Sequence, residues 1–272
     1  MNIPITNQEK FNKILFEKIK QNQYEFKYLY IALSNIIEGK KIAYESSLIN
    51  LENENWILII HSDELLIYGN HWTETQFREI NQIIDLNKYR NYLLSGKSEL
   101  IFDLINYYKI SNFKIEKERL FFRTSKISDT IIENCEIRIA KYDETNKLSL
   151  MLQQYYHEEY NGENDKTDNE AKNRIRELIT NQKIFVIENN SKEIVSFCTI
   201  INPEIGILFT DEKHRNNGYG KQILSYCSNK LLNENNEIYL MTDKKNNEIN
   251  SICKKIGYES YCEYAYVRIN NS

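Results

Sequence analysis

The stretch DEKHRNNGYGKQIL, residues 211–224, indicates the fold of the second half of the chain more clearly than any other. It contains two of the eight glycines, Gly218 and Gly220, shortly after Arg215. A short apolar run, ILF, precedes it, and apolar residues then recur at helical spacing. The pattern therefore predicts a strand, a tight turn and a helix start. Because the first amides of a helix lack internal partners and the helix dipole favours negative charge, such a turn suits a phosphate.

An isolated RxxGxG pattern has a simpler interpretation as well. Gly218 can be a turn residue only, and Arg215 a solvated surface charge. The chain contains no GxxxxGK[ST] sequence and no GxGxxG sequence after a first strand, which excludes two other phosphate motifs. The surrounding pattern has to decide between a phosphate site and a plain turn.

The second half of the chain alternates between strand and helix patterns. From Cys135 to Asn270 the predicted order is βααβββαβαβ. It includes a capping box at Thr167-x-x-Glu170 and a hairpin that turns at residues 189–192. Because strands alternate with helices, we expect an α/β fold with a mixed sheet and at least one parallel strand pair.

Two blocks of this half resemble a known family. GILFTDEKHRNNGYGKQIL is similar to motif A of the GNAT superfamily of N-acetyltransferases, in which a strand leads into [QR]xxGx[GA] at a helix start. LMTDKKNNEINSICKKIGYES is similar to the next block of that superfamily, and the order of elements matches as well. The resemblance covers about half of the chain, and the extra N-terminal domain resembles two-domain bacterial members.

The resemblance implies acetyl-CoA as cosubstrate and an amine as acceptor. The main chain of residues 208–210 would pair with the pantetheine arm, residues 215–221 would wrap the pyrophosphate, and an asparagine before the next helix would contact the cofactor. The residues that the resemblance assigns to acetyl-CoA are Leu208, Phe209, Thr210, Arg215, Asn216, Asn217, Gly218, Tyr219, Gly220, Lys221 and Asn246.

The catalytic groups depart from the family pattern. Many members have a tyrosine that protonates the departing CoA thiolate, and Cys253 stands at that position here. A cysteine is too short to replace a phenol directly, so Cys253 is either an acid acting through a water or a buried helix residue. The segments that flank the acceptor cleft in this family carry three carboxylates, each either a general base or an ordinary surface charge: Glu158, Glu159 and Glu204.

We expect an N-terminal α/β domain at residues 1–132 and the GNAT domain at residues 133–272. Residues 55–124 repeat the order strand, strand, helix, strand, helix, strand, so the first domain is either a degenerate GNAT-like copy or an unrelated α/β domain. Thr6-x-x-Glu9 and Thr73-x-x-Gln76 are further capping-box patterns. At the position of RNNGYG this half has HWTETQ without a glycine pair, so we expect no CoA binding there.

Composition narrows the class of protein. The chain has 272 residues, 41% hydrophobic and 27% charged residues, and a net charge of −4, which gives no reason to expect nucleic acid or an anionic membrane as partner. No apolar run is long enough to span a bilayer, and the N-terminus lacks the layout of a signal peptide. We expect a cytoplasmic monomer or homodimer. The five cysteines and four histidines have no metal-ligand spacing, so we expect no metal.

Three hypotheses of function remain open from the sequence. The leading one is an N-acetyltransferase that moves the acetyl group of acetyl-CoA to a primary amine by direct attack in a ternary complex. The alternative is a non-catalytic CoA-binding sensor or regulatory protein, suggested by the missing tyrosine. The third is a structural α/β protein in which RxxGxG is coincidental.

Overall fold

The computed structural model describes residues 3–4, 13, 15–17, 19–20, 23–41, 45–49, 56–61, 64–83, 86, 91–128 and 136–270. The helices with defined ends in this part are α1 (Lys27–Ile37), α2 (Glu74–Ile83), α3 (Ser98–Tyr107), α4 (Thr145–Tyr160), α5 (Asp168–Thr180), α6 (Tyr219–Leu232) and α7 (Asn247–Lys255). The strands are β1 (Ile3–Pro4), β2 (Glu45–Ile49), β3 (Trp56–His61), β4 (Leu65–Asn70), β5 (Leu93–Lys97), β6 (Phe113–Thr124), β7 (Ile137–Ile139), β8 (Ile184–Glu188), β9 (Ile194–Ile201), β10 (Glu204–Thr210), β11 (Ile238–Asp243) and β12 (Glu259–Ile269).

The chain divides into two compact units. Unit 1 comprises Met1–Leu120, Asp243–Lys245 and Cys262–Ser272, and unit 2 comprises Phe121–Thr242 and Asn246–Tyr261. The end of the chain belongs to unit 1 because β12 pairs antiparallel with β5, with Tyr264 opposite Lys97. The predicted boundary between residues 132 and 133 lies among residues 129–135, outside the described part, and stays a prediction.

The second half of the chain, from β7 to β12, has the order of elements that the sequence predicts. Strands β7, β8, β9 and β10 pair antiparallel in succession, and β10 pairs parallel with β11. The predicted hairpin is β8–β9, and the capping box of α5 is present with Thr167 and Glu170 as partners. The α/β class with a mixed sheet and a parallel pair is therefore confirmed.

The core of unit 2 lies between the helix pair α4–α5 and the sheet. Leu148 and Leu152 lie one turn apart on α4 and are fully buried. Ile175 of α5 and Val186 of β8 are fully buried as well. Burying each such side chain stabilises the fold by about 1.5–3 kcal/mol. This packing fixes α4 beside β10, the strand that leads into the glycine motif.

Unit 1 repeats the same layout. Strands β1 to β4 pair antiparallel in succession and β4 pairs parallel with β5, as β7 to β11 do in unit 2. Residues 13, 15–17 and 19 are helical and precede α1, so two helical segments separate β1 from β2, as α4 and α5 separate β7 from β8. The chain thus contains the order βααβββαβαβ twice.

The predicted helix signals of the first half have different outcomes. Thr6 and Glu9 lie outside the described residues. At the start of α2, the Gln76 side chain accepts a hydrogen bond from the Thr73 amide at 2.7 Å. Helix α1 is followed by Gly39 with φ +72°, the left-handed cap that its position suggests.

Candidate functional site

Strand β10 is open on one side near its end. It pairs with β9 through Thr210, with a register shift between Ile205 and Leu208. On the other side, β10 and β11, both described throughout, pair only at Glu204 and Tyr239. Residues 208–210 therefore lie in a stretch that has no ladder to β11. Their main chain can pair with an extended ligand between the two strands, as the sequence resemblance implies for pantetheine.

The turn after β10 adopts the strained backbone that the glycine motif predicts. A single 3-10 turn, Glu212–His214, is capped by the Asp211 carboxylate, which accepts a hydrogen bond from the Lys213 amide at 3.2 Å. Asn216 and Gly218 then have φ +63° and +81°, and α6 begins immediately afterwards. Gly218 is the N-cap of α6, and its positive φ is the conformation that glycine adopts without steric cost.

The amides of this turn point away from internal acceptors. Within the described residues, no acceptor is found for the backbone N–H groups of residues 216–221, whereas the Gln222 amide bonds the Gly218 carbonyl at 3.0 Å. Successive free amides at the positive end of a 14-residue helix attract an anion. The turn therefore has the geometry of a phosphate cradle, and the candidate residues Asn216–Lys221 lie together in it.

Gly220 has a second reason for being a glycine. A Cβ atom added to it would lie 3.2 Å from the Thr210 hydroxyl oxygen, tighter than ordinary contact. That hydroxyl is fixed by Ser196, whose own hydroxyl lies 2.9 Å away and donates to the Phe209 carbonyl at 2.7 Å. The paired glycines therefore serve the fold as well: Gly218 allows the turn, and Gly220 lets α6 start close to β10.

Arg215 is held within the protein rather than directed at the amides. Its guanidinium donates two hydrogen bonds to the Glu158 carboxylate, at 2.7 and 2.8 Å, and one to the Thr210 carbonyl at 3.1 Å. It also lies 5.5 Å from the centre of the Phe209 ring. The Arg215–Glu158 ion pair joins the end of α4 to the turn. It therefore engages the guanidinium that the sequence resemblance assigns to the pyrophosphate.

We expect Glu158→Gln to tighten acetyl-CoA binding about two- to five-fold, because it releases the Arg215 charge toward the anion site. Both side chains are more than a third exposed, so the loss of the pair should change the free energy of unfolding by less than about 1 kcal/mol. Calorimetric titration measures the affinity, and Glu159→Gln, one residue further along α4, is the matched control for removal of one negative charge. Equal tightening in both variants, or weaker binding in Glu158→Gln, would contradict the prediction.

The two candidate residues of the second family-like block, Asn246 and Cys253, lie in different environments. Asn246 is the N-cap of α7, and its side-chain oxygen accepts a hydrogen bond from the Ile249 amide at 3.2 Å. Cys253 lies on the same helix with no exposed surface, and burial raises the pKa of its thiol to about 12. This environment favours the interpretation of Cys253 as a buried helix residue.

Of the three carboxylates considered as bases, two are adjacent on α4 and the third lies on β10. Glu158 is bound to Arg215, Glu159 is exposed on α4, and Glu204 is the first residue of β10. Glu204 is also the residue at which β10 pairs with β11, so it lies where the two strands are closest together. Position alone assigns none of the three as base.

The corresponding strands of unit 1, β4 and β5, pair over more residues than β10 and β11 do. Strands β4 and β5 pair at three successive positions, Leu65 to Ile67, and a Cβ atom added to Gly96 would lie 2.0 Å from the Ile67 carbonyl oxygen. The last residues of β4, Tyr68–Asn70, have no pairing with β5, just as Leu208–Thr210 have none with β11. HWTETQ, residues 71–76 at the start of α2, contains no glycine, and the absence of a CoA site in unit 1 stays a prediction.

The described part of the chain has neither a membrane-spanning helix nor a cluster of metal-ligating side chains. No helix in the described part combines the length and hydropathy needed to cross a bilayer. The described residues also contain no group of three or more histidine, cysteine, aspartate or glutamate side chains placed to share a metal ion.

Comparisons with known proteins agree with this geometry. Residues 180–260 match the family model described as an acetyltransferase (GNAT) domain, whereas no curated protein sequence matches the chain. A GCN5-related N-acetyltransferase from Sphaerobacter thermophilus has a TM-score of 0.61 at 12% identity, over 90% of this chain and 86% of that chain. A GNAT-family acetyltransferase from Colwellia psychrerythraea has a TM-score of 0.57 at 11% identity, over 98% of both chains.

A tandem GNAT protein from the clavulanic acid biosynthesis pathway has a TM-score of 0.50 at 7% identity, over 98% of this chain and 97% of that chain. At such identities these structures establish the fold only, and that fold contains the repeated layout seen here. The family match lies on β8 to α7, which includes the open strand and the amide turn. Residues 180–260 therefore match a GNAT acetyltransferase domain, and the chain has a fold similar to that of the GNAT structures named above.

Proposed function

We propose that this protein is an acetyl-CoA-dependent N-acetyltransferase that acts on a primary amine. The observation that carries the proposal is the combination of an open β10 edge with the free amides of residues 216–221 directly after it. The GNAT family match supports acyltransferase chemistry in general. The acetyl donor and the amine acceptor are the specific parts of the proposal.

The described residues fit the two ends of acetyl-CoA. The main chain of Leu208–Thr210 would pair with the amide groups of pantetheine, because it lacks a ladder to β11. The amides of residues 216–221 would bind the pyrophosphate, and Lys221 would add charge at the helix start. Asn246 uses its oxygen as a helix cap, which leaves its side-chain NH₂ as the group that would reach the cofactor.

Direct transfer requires few protein groups. The lone pair of a neutral amine forms the C–N bond with the acetyl carbonyl carbon, the C–S bond breaks, and the CoA thiolate leaves. The amine gives up one proton to a base, and the thiolate takes up one from an acid. Strand β10 orients the thioester and supplies main-chain donors for the developing negative charge on the carbonyl oxygen.

We propose that solvent, not Cys253, protonates the thiolate. We therefore expect Cys253→Ala to retain turnover within about two-fold and to lose about 1 kcal/mol of unfolding free energy to the small void. Cys227→Ala, at another fully buried thiol on α6, is the matched control. A fall in kcat of ten-fold or more in Cys253→Ala alone would instead assign the acid role to Cys253.

The test of the proposed function has two steps. Calorimetric titration should show micromolar binding of acetyl-CoA, and a thiol-release assay across primary amines should then show turnover. No binding would contradict both this function and the alternative of a CoA-binding regulatory protein. Binding without turnover for any amine would favour that alternative, which the buried Cys253 at the usual tyrosine position supports.

We also propose a cytoplasmic monomer or homodimer without nucleic-acid or membrane partners. The net charge of −4 supports this assignment because it provides no general attraction to polyanions. Gel filtration with light scattering distinguishes the two assemblies.

A further inference from the structure

A cavity between α4 and α5 lies outside the cofactor site. Its volume is about 170 Å³, and it is lined by Leu152, Tyr156, Lys166, Glu170, Ala171 and Arg174. Cavities of about 150 Å³ accept a ligand of the size of benzene. Leu152 and Ala171 are fully buried and form an apolar floor. The cavity therefore has room for the apolar body of one small molecule.

The polar groups around this floor are mainly donors. The Lys166 ammonium lies 5.1 Å from the centre of the Tyr156 ring and makes no ion pair with any described residue. Arg174 pairs with Glu177 at 2.7 Å through one nitrogen, which leaves other guanidinium donors available. Burial and then Tyr160 raise the pKa of the Tyr156 hydroxyl, and Arg174 opposes them, so Arg174 lies within electrostatic reach of that hydroxyl.

The one acidic lining residue, Glu170, cancels only part of this charge. Glu170 accepts hydrogen bonds from the Thr167 amide and hydroxyl, at 2.9 and 2.7 Å, as part of the α5 capping box. Of the three charged lining residues, two are positive and one negative, which gives a net charge of +1. With the carboxylate committed to the helix cap, the donors left for a ligand are Lys166, Arg174 and the Tyr156 hydroxyl.

Contacting aromatic rings lie between the cavity and β10. The Tyr156 ring lies 5.4 Å from the Tyr155 ring, and Tyr155 lies 6.4 Å from Phe209, centre to centre. Phe209 is one of the β10 residues beside the proposed thioester position. The cavity is therefore close to β10, one aromatic side chain away from Phe209.

We propose that this cavity binds the carboxylate end of a small organic acid with an apolar body, through Lys166, Arg174 and the Tyr156 hydroxyl. We further identify that acid as the amine acceptor, an amino acid in the broad chemical sense, and this identification rests on the proposed function. Charge-assisted hydrogen bonds of this kind contribute more than neutral ones and select carboxylate over amide.

Titration of the protein without acetyl-CoA tests the binding site. Benzoate is expected to bind at least about ten-fold more tightly than benzamide, its neutral analogue, and Lys166→Met and Arg174→Met should each remove about ten-fold. Matched controls on α5 are Lys172→Met, whose amine pairs with Asp168, and Arg176→Met, whose guanidinium contacts Asn173. Thermal unfolding identifies any variant that fails to fold. Equal binding of benzamide, equal losses in the controls or no benzoate binding would overturn the site.

A second experiment tests whether the acid bound in the cavity is the amine acceptor. Thiol release from acetyl-CoA should show a lower KM for 4-(aminomethyl)benzoate than for 4-(aminomethyl)benzamide, and Lys166→Met should remove the difference. Equal use of the two amines, or turnover of neither, would overturn the identification of the acceptor. Because benzoate binding is measured without acetyl-CoA, a failure of the proposed function leaves that result standing, and the two failures are distinguishable.

Discussion

Replacing Gly218 with glutamate is expected to weaken acetyl-CoA binding at least about 100-fold, or about 2.7 kcal/mol. The substitution places a side chain and a negative charge among the free amides of residues 216–221, where the pyrophosphate is proposed to bind. It also forces a glutamate into a backbone with φ +81°. Calorimetric titration of wild type and variant with acetyl-CoA measures the difference.

Backbone strain alone has to be separated from the loss of the anion site. Gly39→Glu is the matched control, because Gly39 has φ +72° and no atom within 4 Å of an added Cβ, and it lies in unit 1 after α1. A left-handed conformation costs a non-glycine residue about 1–2 kcal/mol at either position. We expect Gly39→Glu to be destabilised by that amount and to bind acetyl-CoA like wild type. If Gly218→Glu bound acetyl-CoA with the affinity of wild type, the result would contradict the proposed pyrophosphate site.

Local signals made the second half of the chain predictable. The order βααβββαβαβ follows from apolar periodicity, from the capping box at Thr167 and from the turn before β9, and each depends on residues close in sequence. Gly218 was informative for the same reason, since a positive φ in a turn favours glycine whatever surrounds it. The repeat of this order in the first half was visible as a pattern, and the strand pairings now support it.

Long-range partners could not be read from the pattern. Nothing in the sequence of β12 indicates that Tyr264 lies opposite Lys97, so the pairing of β12 with β5 could not be predicted. The partner of Arg215 was missed for the same reason: Glu158 was considered only as a base, and it lies 57 residues away in sequence.

The cavity residues were also missed by sequence reasoning. Leu152 and Tyr156, one turn apart on α4, were the available signal, because they predict a shared helix face. Lys166 and Arg174 read as ordinary polar residues of a loop and a helix, and only the packing of α4 on α5 brings them together. A binding site formed by two helices depends on their packing, which periodicity does not specify.

A second large effect is expected in unit 2 at Arg138, on β7. Its guanidinium bridges two carboxylates, bonding Glu144 at 3.1 Å through one nitrogen and Glu188 at 3.1 Å through another, with further contacts to both. The three side chains are only 11–18% exposed. Removing a cation from such a site leaves two poorly solvated carboxylates facing each other.

We expect Arg138→Met to lower the free energy of unfolding by about 2–4 kcal/mol at neutral pH. Lys192→Met is the matched control, because Lys192 contacts Glu188 and Glu136 in the same cluster but is 72% exposed, so its loss should cost less than about 1 kcal/mol. Urea unfolding of both variants measures these values. Equal destabilisation by the two substitutions would indicate a general charge effect.

The pH dependence of the Arg138→Met effect provides an independent check. Burial raises the pKa of Glu144, but hydrogen bonds from Arg138 and from the Lys141 amide outweigh it and hold the pKa below its ordinary value of 4.5. A depressed carboxylate pKa contributes stability that is complete above the unfolded-state value and is lost as pH falls through the folded-state value. The difference in unfolding free energy between wild type and Arg138→Met should therefore be largest at neutral pH and shrink as the pH falls, with most of the charge effect lost below about pH 4.5. A difference that stayed constant down to about pH 3 would show that lost packing of the arginine, not its charge, causes the destabilisation.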